Sequence, residues 1–196
     1  RVSALYGLAS IRLTLPGMQS EAVKEYQIAA QLSEKLAVAE PLVQEYIVQA
    51  ANVWMALGIA HESVGDLNAA LQAAEHSLKW QKSLAERNLQ DDVVQLEYGR
   101  ILGFTSMLLF QVRQLERAQQ LSQESLNVLQ RFGDVSKGPD AVTAWLMSAY
   151  ARLKIEPQLF SASPLGHEAL KLARDALQKF PAHRELRNAV SLVIGV

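Results

Sequence analysis

The chain has 196 residues and no cysteine. Disulfides, thiolate metal sites and cysteine nucleophiles are therefore excluded. The same absence leaves the compartment open, with cytoplasm ahead of periplasm. Proline is scarce, at six residues, while Leu, Ala, Gln and Glu abound, and this balance favours helix. Charge of either sign is not in excess: 19 basic residues face 20 acidic ones, for a net charge of −1. There is no basic surplus to suggest nucleic acid and no acidic block to suggest a disordered tail. Long apolar runs are missing too. The longest, ILGFTSMLLFQV at 101–112, falls short of the roughly 20 residues that span a bilayer, so it reads as a helix buried on most sides. No segment alternates with period two over a strand's length. The first residue is Arg1, with neither Met nor a signal-peptide pattern, and the expectation is a fragment of a longer protein.

What is present is repetition. A shift of 48 residues carries Leu67 onto Leu115, Ala70 onto Ala118, and Ser77-Leu78 onto Ser125-Leu126. The same shift backwards carries Gly65 onto Gly17, Ala70 onto Ala22 and Gly58 onto Ser10. A fourth, distorted copy holds Trp145 and Ala149 in the places of Trp54 and Gly58, with Ala169, Ala173 and Ala176 after them. Its extra residues fall in IEPQLFSASPLG, a loop-like stretch.

Each copy reads as two helices. Trp54, Leu57, Ala60 and Val64 recur at helical spacing, Gly65-Asp66 punctuates, and Leu67, Ala70, Leu71, Ala74 and Leu78 resume the period. Gly65 suits a tight turn and Asp66 a helix cap. Ser163-Pro164 is a start signal and Phe180-Pro181 a stop. The spacing predicts helices near 2–15, 19–38, 42–64, 67–88, 91–112, 115–131, 140–155, 164–179 and 182–193. Gly58 and Ala70 lack bulk, so two helix axes can approach closely between them. A lone hairpin cannot bury both faces, so successive hairpins stack.

The spaced residues Trp54, Leu57-Gly58, His61, Gly65, Ala70, Ala74 and Ser77 resemble the tetratricopeptide signature. The other copies offer Tyr6, Ser10, Gly17, Ala22 and Tyr26; Leu102, Ser106, Arg113, Ala118 and Ser125; and Trp145, Ala149, Ala169, Ala173, Ala176 and Pro181. The period is longer than the usual repeat and resembles the variety found in bacterial multidomain signalling proteins, often beyond serine/threonine kinase domains. The resemblance implies an all-α, right-handed superhelical solenoid of about four antiparallel helix pairs. Repeats would lie near 2–40, 42–90, 91–138 and 139–181, with a capping helix over 182–196, all in one domain.

In such arrays the first helix of each pair lines the concave side. The resemblance therefore assigns a partner-binding groove to Asn52, Met55, Ile59 and Glu62, to Arg100, Met107, Phe110 and Gln111, and to Leu146, Tyr150 and Lys154. The family's Lys/Asn/Arg clamp for a terminal carboxylate is not reproduced. The apolar, Met-bearing set suits an amphipathic helix or apolar peptide segment. The competing reading is plain core between stacked helices. The segment RNAVSLVIGV at 187–196 could instead cap the last repeat or fill a groove.

Chemistry is sparse. His61-Glu62 lacks the second His of a zinc helix, and Glu75-His76 are adjacent residues pointing different ways. His167 and His183 have no ligand cluster nearby in sequence. Asp91-Asp92 reads as a helix cap with favourable dipole charge. No Gly-rich phosphate loop or nucleophile elbow is present. The expectation is a non-catalytic scaffold for a protein or peptide, without cofactor or metal, without nucleic acid or membrane insertion, and able to form a homodimer through an exposed terminal repeat. The alternative is a sensory or small-ligand-binding helical domain attached to an enzyme in the full-length chain.

Overall fold

The computed structural model describes residues 1–195, and every regular element among them is helical. The chain forms two compact units, Arg1–Leu89 and Gln90–Val196, so two of the four sequence copies fall in each.

The first unit holds α1 (Val2–Thr14), α2 (Gln19–Ala39), α3 (Gln44–Ser63) and α4 (Leu67–Arg87), each packed against the next. Short connections return the chain, so neighbours run antiparallel. Helices of 20 or 21 residues are about 30 Å long. Ala22, Ala29, Ala30, Ala60, Ala70 and Ala74 are fully buried, and Gly58 is buried with them. Small side chains thus occupy the packed faces of α3 and α4, as the repeat predicts. Bulk fills the remainder. The Tyr6 and Tyr26 rings meet edge to face at 5.6 Å, and the Tyr26 hydroxyl lies 2.7 Å from the Ser10 hydroxyl. Burial pushes the Tyr26 phenol above its ordinary pKa, against the opposing hydrogen bond to Ser10. Trp54 stacks on His76 with ring centroids 4.2 Å apart, and His76 Nδ1 lies 3.5 Å from Glu34.

The second unit holds α5 (Asp92–Gln111), α6 (Leu115–Leu129), two short 3-10 turns (Gln130–Phe132 and Val135–Lys137), α7 (Pro139–Ile155), the single-turn α8 (Leu159–Ala162), α9 (Pro164–Lys179) and α10 (Arg184–Ile194). Helix α5 packs on α6 and α7, and α7 also packs on α6, α9 and α10. Leu129, Leu146, Leu186 and Val193 share one core cluster and are fully buried. Cutting such a leucine to alanine costs about 2–5 kcal/mol. Asp92 pairs with Arg131 at 3.0 Å and Lys137 at 3.7 Å, tying the 3-10 segment to the start of α5.

The helix boundaries follow local chemistry. Asp66 accepts a hydrogen bond from the Ala69 amide, Asp91 from those of Val93 and Val94, and Ser163 from that of Leu165. Gly17 and Gly65 turn the chain at φ of 80° and 81°. The next residue in the 48-residue series is Arg113, which adopts the same left-handed backbone at φ 65°. The turns close alike: the Asp66 amide bonds the His61 carbonyl at 3.0 Å, and the Gln114 amide bonds the Leu109 carbonyl at 2.9 Å.

Candidate functional site

In the first unit α1 and α3 are the first helices of successive hairpins, and an open groove of about 640 Å³ runs between them. Val2 and Val53 form a buried apolar floor. Tyr6, Gln49 and Asn52 line the walls, and Glu45 adds one carboxylate. Amides and a phenol beside an apolar floor can hold a peptide by packing and by hydrogen bonds together.

Of the expected groove residues in this unit, Asn52 lines that groove. Ile59 is 41% exposed, and Met55 and Glu62 are half-buried further along α3. The helical offsets 52, 55, 59 and 62 put the four on one face of α3. Val48 and Gln49 also line the groove and were not singled out from the sequence. Their offset from Asn52 would have found them.

In the second unit Arg100 is exposed and pairs with Glu97 at 2.9 Å. Met107 and Phe110 are half-buried, and Gln111 is exposed, as is Lys154. Leu146 is a correction: it is fully buried, so it cannot line a partner groove. The reason is α10, whose Leu186, Ala189, Val190 and Val193 enter the same core cluster. Tyr150 is half-buried against that cluster. The C-terminal segment thus covers α7, one of the two roles its sequence allowed.

Besides His76, two more histidines have partners. His61 is largely buried, with Nδ1 4.0 Å from Asp66. His183, given no role from the sequence, caps α10: Nδ1 accepts from the Leu186 amide at 3.2 Å, and Nε2 lies 3.2 Å from Asp140. With Nδ1 an acceptor, the neutral ring carries its proton on Nε2 and donates to Asp140. Asp91 caps α5 and Asp92 adds its charge in the first turn, as expected; the ion pair of Asp92 with Arg131 was not foreseen. Among the described residues, no three His, Asp or Glu side chains cluster as a metal site would, and no helix is long and apolar enough to cross a membrane.

No family model matches the chain, and no curated protein matches it.

Proposed function

We propose that the chain is a non-catalytic scaffold of the tetratricopeptide kind that binds a helical or apolar peptide segment. The observation that carries this reading is the open groove between α1 and α3, floored by valines and walled by amides. The four sequence copies and the small residues on the packed helix faces support the family. The long period extends the reading to regulatory assembly in a bacterial signalling protein. Self-association belongs to the same reading, since α1 and the residue that ends it expose Leu8, Ile11 and Leu15 at 42%, 62% and 46%.

The test is calorimetric titration with an amphipathic helical peptide, comparing the native chain with Val48→Glu and Asn52→Lys. Both positions line the groove without belonging to the fully buried core. Loss of binding with unchanged circular dichroism supports the reading. Equal affinity in all three proteins overturns the groove as the binding surface.

A further inference from the structure

Every exposed position within α1 is uncharged: Ser3, Ala4, Tyr6, Leu8, Ile11 and Thr14. The helix holds one charged side chain, Arg12, and Glu25 of α2 balances it in an ion pair. Leu8 and Ile11 are 42% and 62% exposed, and Leu15, the residue that ends the helix, is 46% exposed. With Ala4, which is also exposed, they follow a spacing of four, three and four, so they lie along one stripe. The middle of this side is open: a Cβ added to Gly7 meets no atom within 4 Å.

Later copies do not keep the stripe. One period on, its positions hold Asn52, Ala56, Ile59 and Ser63; two periods on, they hold Arg100, Phe104, Met107 and Gln111. Polar or charged residues enter both later sets, so the unbroken apolar stripe is a property of α1 and not of the repeat.

Charge decides which occupant the stripe takes. A partner recognised through its charges finds no ion pair here and loses water from them. The outward face of α10 carries Arg184, Glu185, Arg187 and Asn188, so stacking α10 of one copy on α1 of another would set charges against apolar side chains. A second α1 brings an identical stripe and no charge, and a two-fold contact matches a face with itself.

The spacing also sets the orientation. A two-fold axis between Ala9 and Ser10 lays two α1 helices antiparallel, with Leu8 opposite Ile11 of the second copy and Ala4 opposite its Leu15. Small meets large at each end, and two large side chains meet twice at the centre. Antiparallel helices oppose their dipoles favourably and keep the two Arg1 residues at opposite ends, where a parallel pair would set them side by side.

We propose that two copies of the chain dimerise through this antiparallel pairing of their α1 helices. The pairing rests on the self-association in the proposed function and makes no use of the α1–α3 groove. A helix of 13 residues is about 20 Å long, and one such helix offers less than the roughly 800 Å² per partner of a standard interface. The dimer is therefore weak, with a dissociation constant of about 0.1–1 mM.

The test is sedimentation equilibrium of the native chain from about 10 μM to 2 mM, which brackets that constant. A monomer–dimer equilibrium is expected. Leu8→Lys, at an exposed position, is expected to weaken it at least about tenfold with unchanged circular dichroism, and Ile11→Glu serves if the first variant does not fold. Orientation is read by oxidative cross-linking, since the chain has no cysteine of its own. A disulfide needs Cα atoms within about 7 Å, so Ala4→Cys and Leu15→Cys chains are expected to link to each other when mixed and not to themselves. A chain monomeric throughout, a Leu8→Lys protein that dimerises like the native one, or self-linking of Ala4→Cys as fast as the mixed pair overturns the pairing. So does binding of an amphipathic helical peptide that Leu8→Lys abolishes and Asn52→Lys leaves intact, which would make a peptide the occupant. Dimerisation of a chain that binds no peptide supports the pairing and removes only the groove.

Discussion

The Ser125 hydroxyl on α6 donates to the Gly99 carbonyl on α5 at 2.7 Å. The same bond recurs one period earlier, where Ser77 on α4 reaches the Ala51 carbonyl on α3 at 2.8 Å. In the second unit a third hydroxyl joins, with Ser148 of α7 2.7 Å from Ser125. Ser125 has one hydrogen and gives it to Gly99, so Ser148 donates to Ser125. All three serines are buried. Ser125→Ala removes two bonds and strands the Ser148 hydroxyl, and is expected to cost about 2 kcal/mol in urea denaturation. Ser148→Ala removes one and is expected to cost about 1 kcal/mol. The reverse order would contradict this assignment of donors.

Arg113 holds a backbone conformation that its equivalents leave to Gly17 and Gly65. A left-handed residue with a Cβ costs about 1–2 kcal/mol, partly offset by the greater chain entropy that glycine loses on folding. Arg113→Gly is therefore expected to stabilise by roughly 0.5–1 kcal/mol, and Arg113→Val to destabilise by more than that. Denaturation midpoints of the two variants check the pair of signs.

Gly166 is pressed against backbone, since a Cβ there meets both the carbonyl oxygen and the Cα of Phe160. Backbone yields less readily than a side-chain tip, so Gly166→Ala is expected to lift α8 from α9 at a cost of about 1–3 kcal/mol. Limited proteolysis at residues 156–163 should accelerate in this variant while cleavage in the first unit stays unchanged.

Asp134 accepts from the Ser136 amide at 2.6 Å at the start of the second 3-10 turn. Its carboxyl lies below its ordinary value of 3.8, chiefly through the Ser136 side-chain and backbone hydrogen bonds, with smaller help from Lys179 and Lys137. A lowered folded-state pKa means that the contribution is complete above the unfolded value and disappears as pH falls through the folded one. Amide exchange at Ser136 is expected to accelerate on acidification below pH 3.8, once corrected for the intrinsic rate. Asp134→Asn, which keeps an acceptor, should flatten that dependence.

Much of the helical layout was legible because the punctuation is local. Gly65-Asp66, Asp91 and Ser163-Pro164 each act within a few residues of themselves, and each marks a helix boundary in the structure. The single-turn α8 and the two 3-10 turns were not legible. Three or four residues carry no period, and these segments are held by distant partners: Gly166 for α8, and Asp92 and Lys179 for the turns. The site was legible only in part. The family resemblance pointed to Asn52, which lines the α1–α3 groove, but the same reasoning put Leu146 at a surface, where it is fully buried in a core cluster shared with α10. Nor does sequence spacing reveal that Arg152 is only 14% exposed, with two nitrogens that have no partner among the described residues.

A hydroxyl staple repeated at identical spacing carries a hazard of mispairing, because Ser125 could in principle clasp the Ala51 carbonyl as readily as that of Gly99. The residues beside the staple discriminate. Leu129 lies so close to Gly99 that no methyl fits there, whereas the positions one period earlier hold Ala51 and Gln81. An exchanged hairpin would drive Leu129 into the Ala51 methyl and bring Gln81 to a space shaped for leucine. The close fit of Leu129 on Gly99 therefore belongs to the α5–α6 hairpin alone of the two, although both carry the same serine bond.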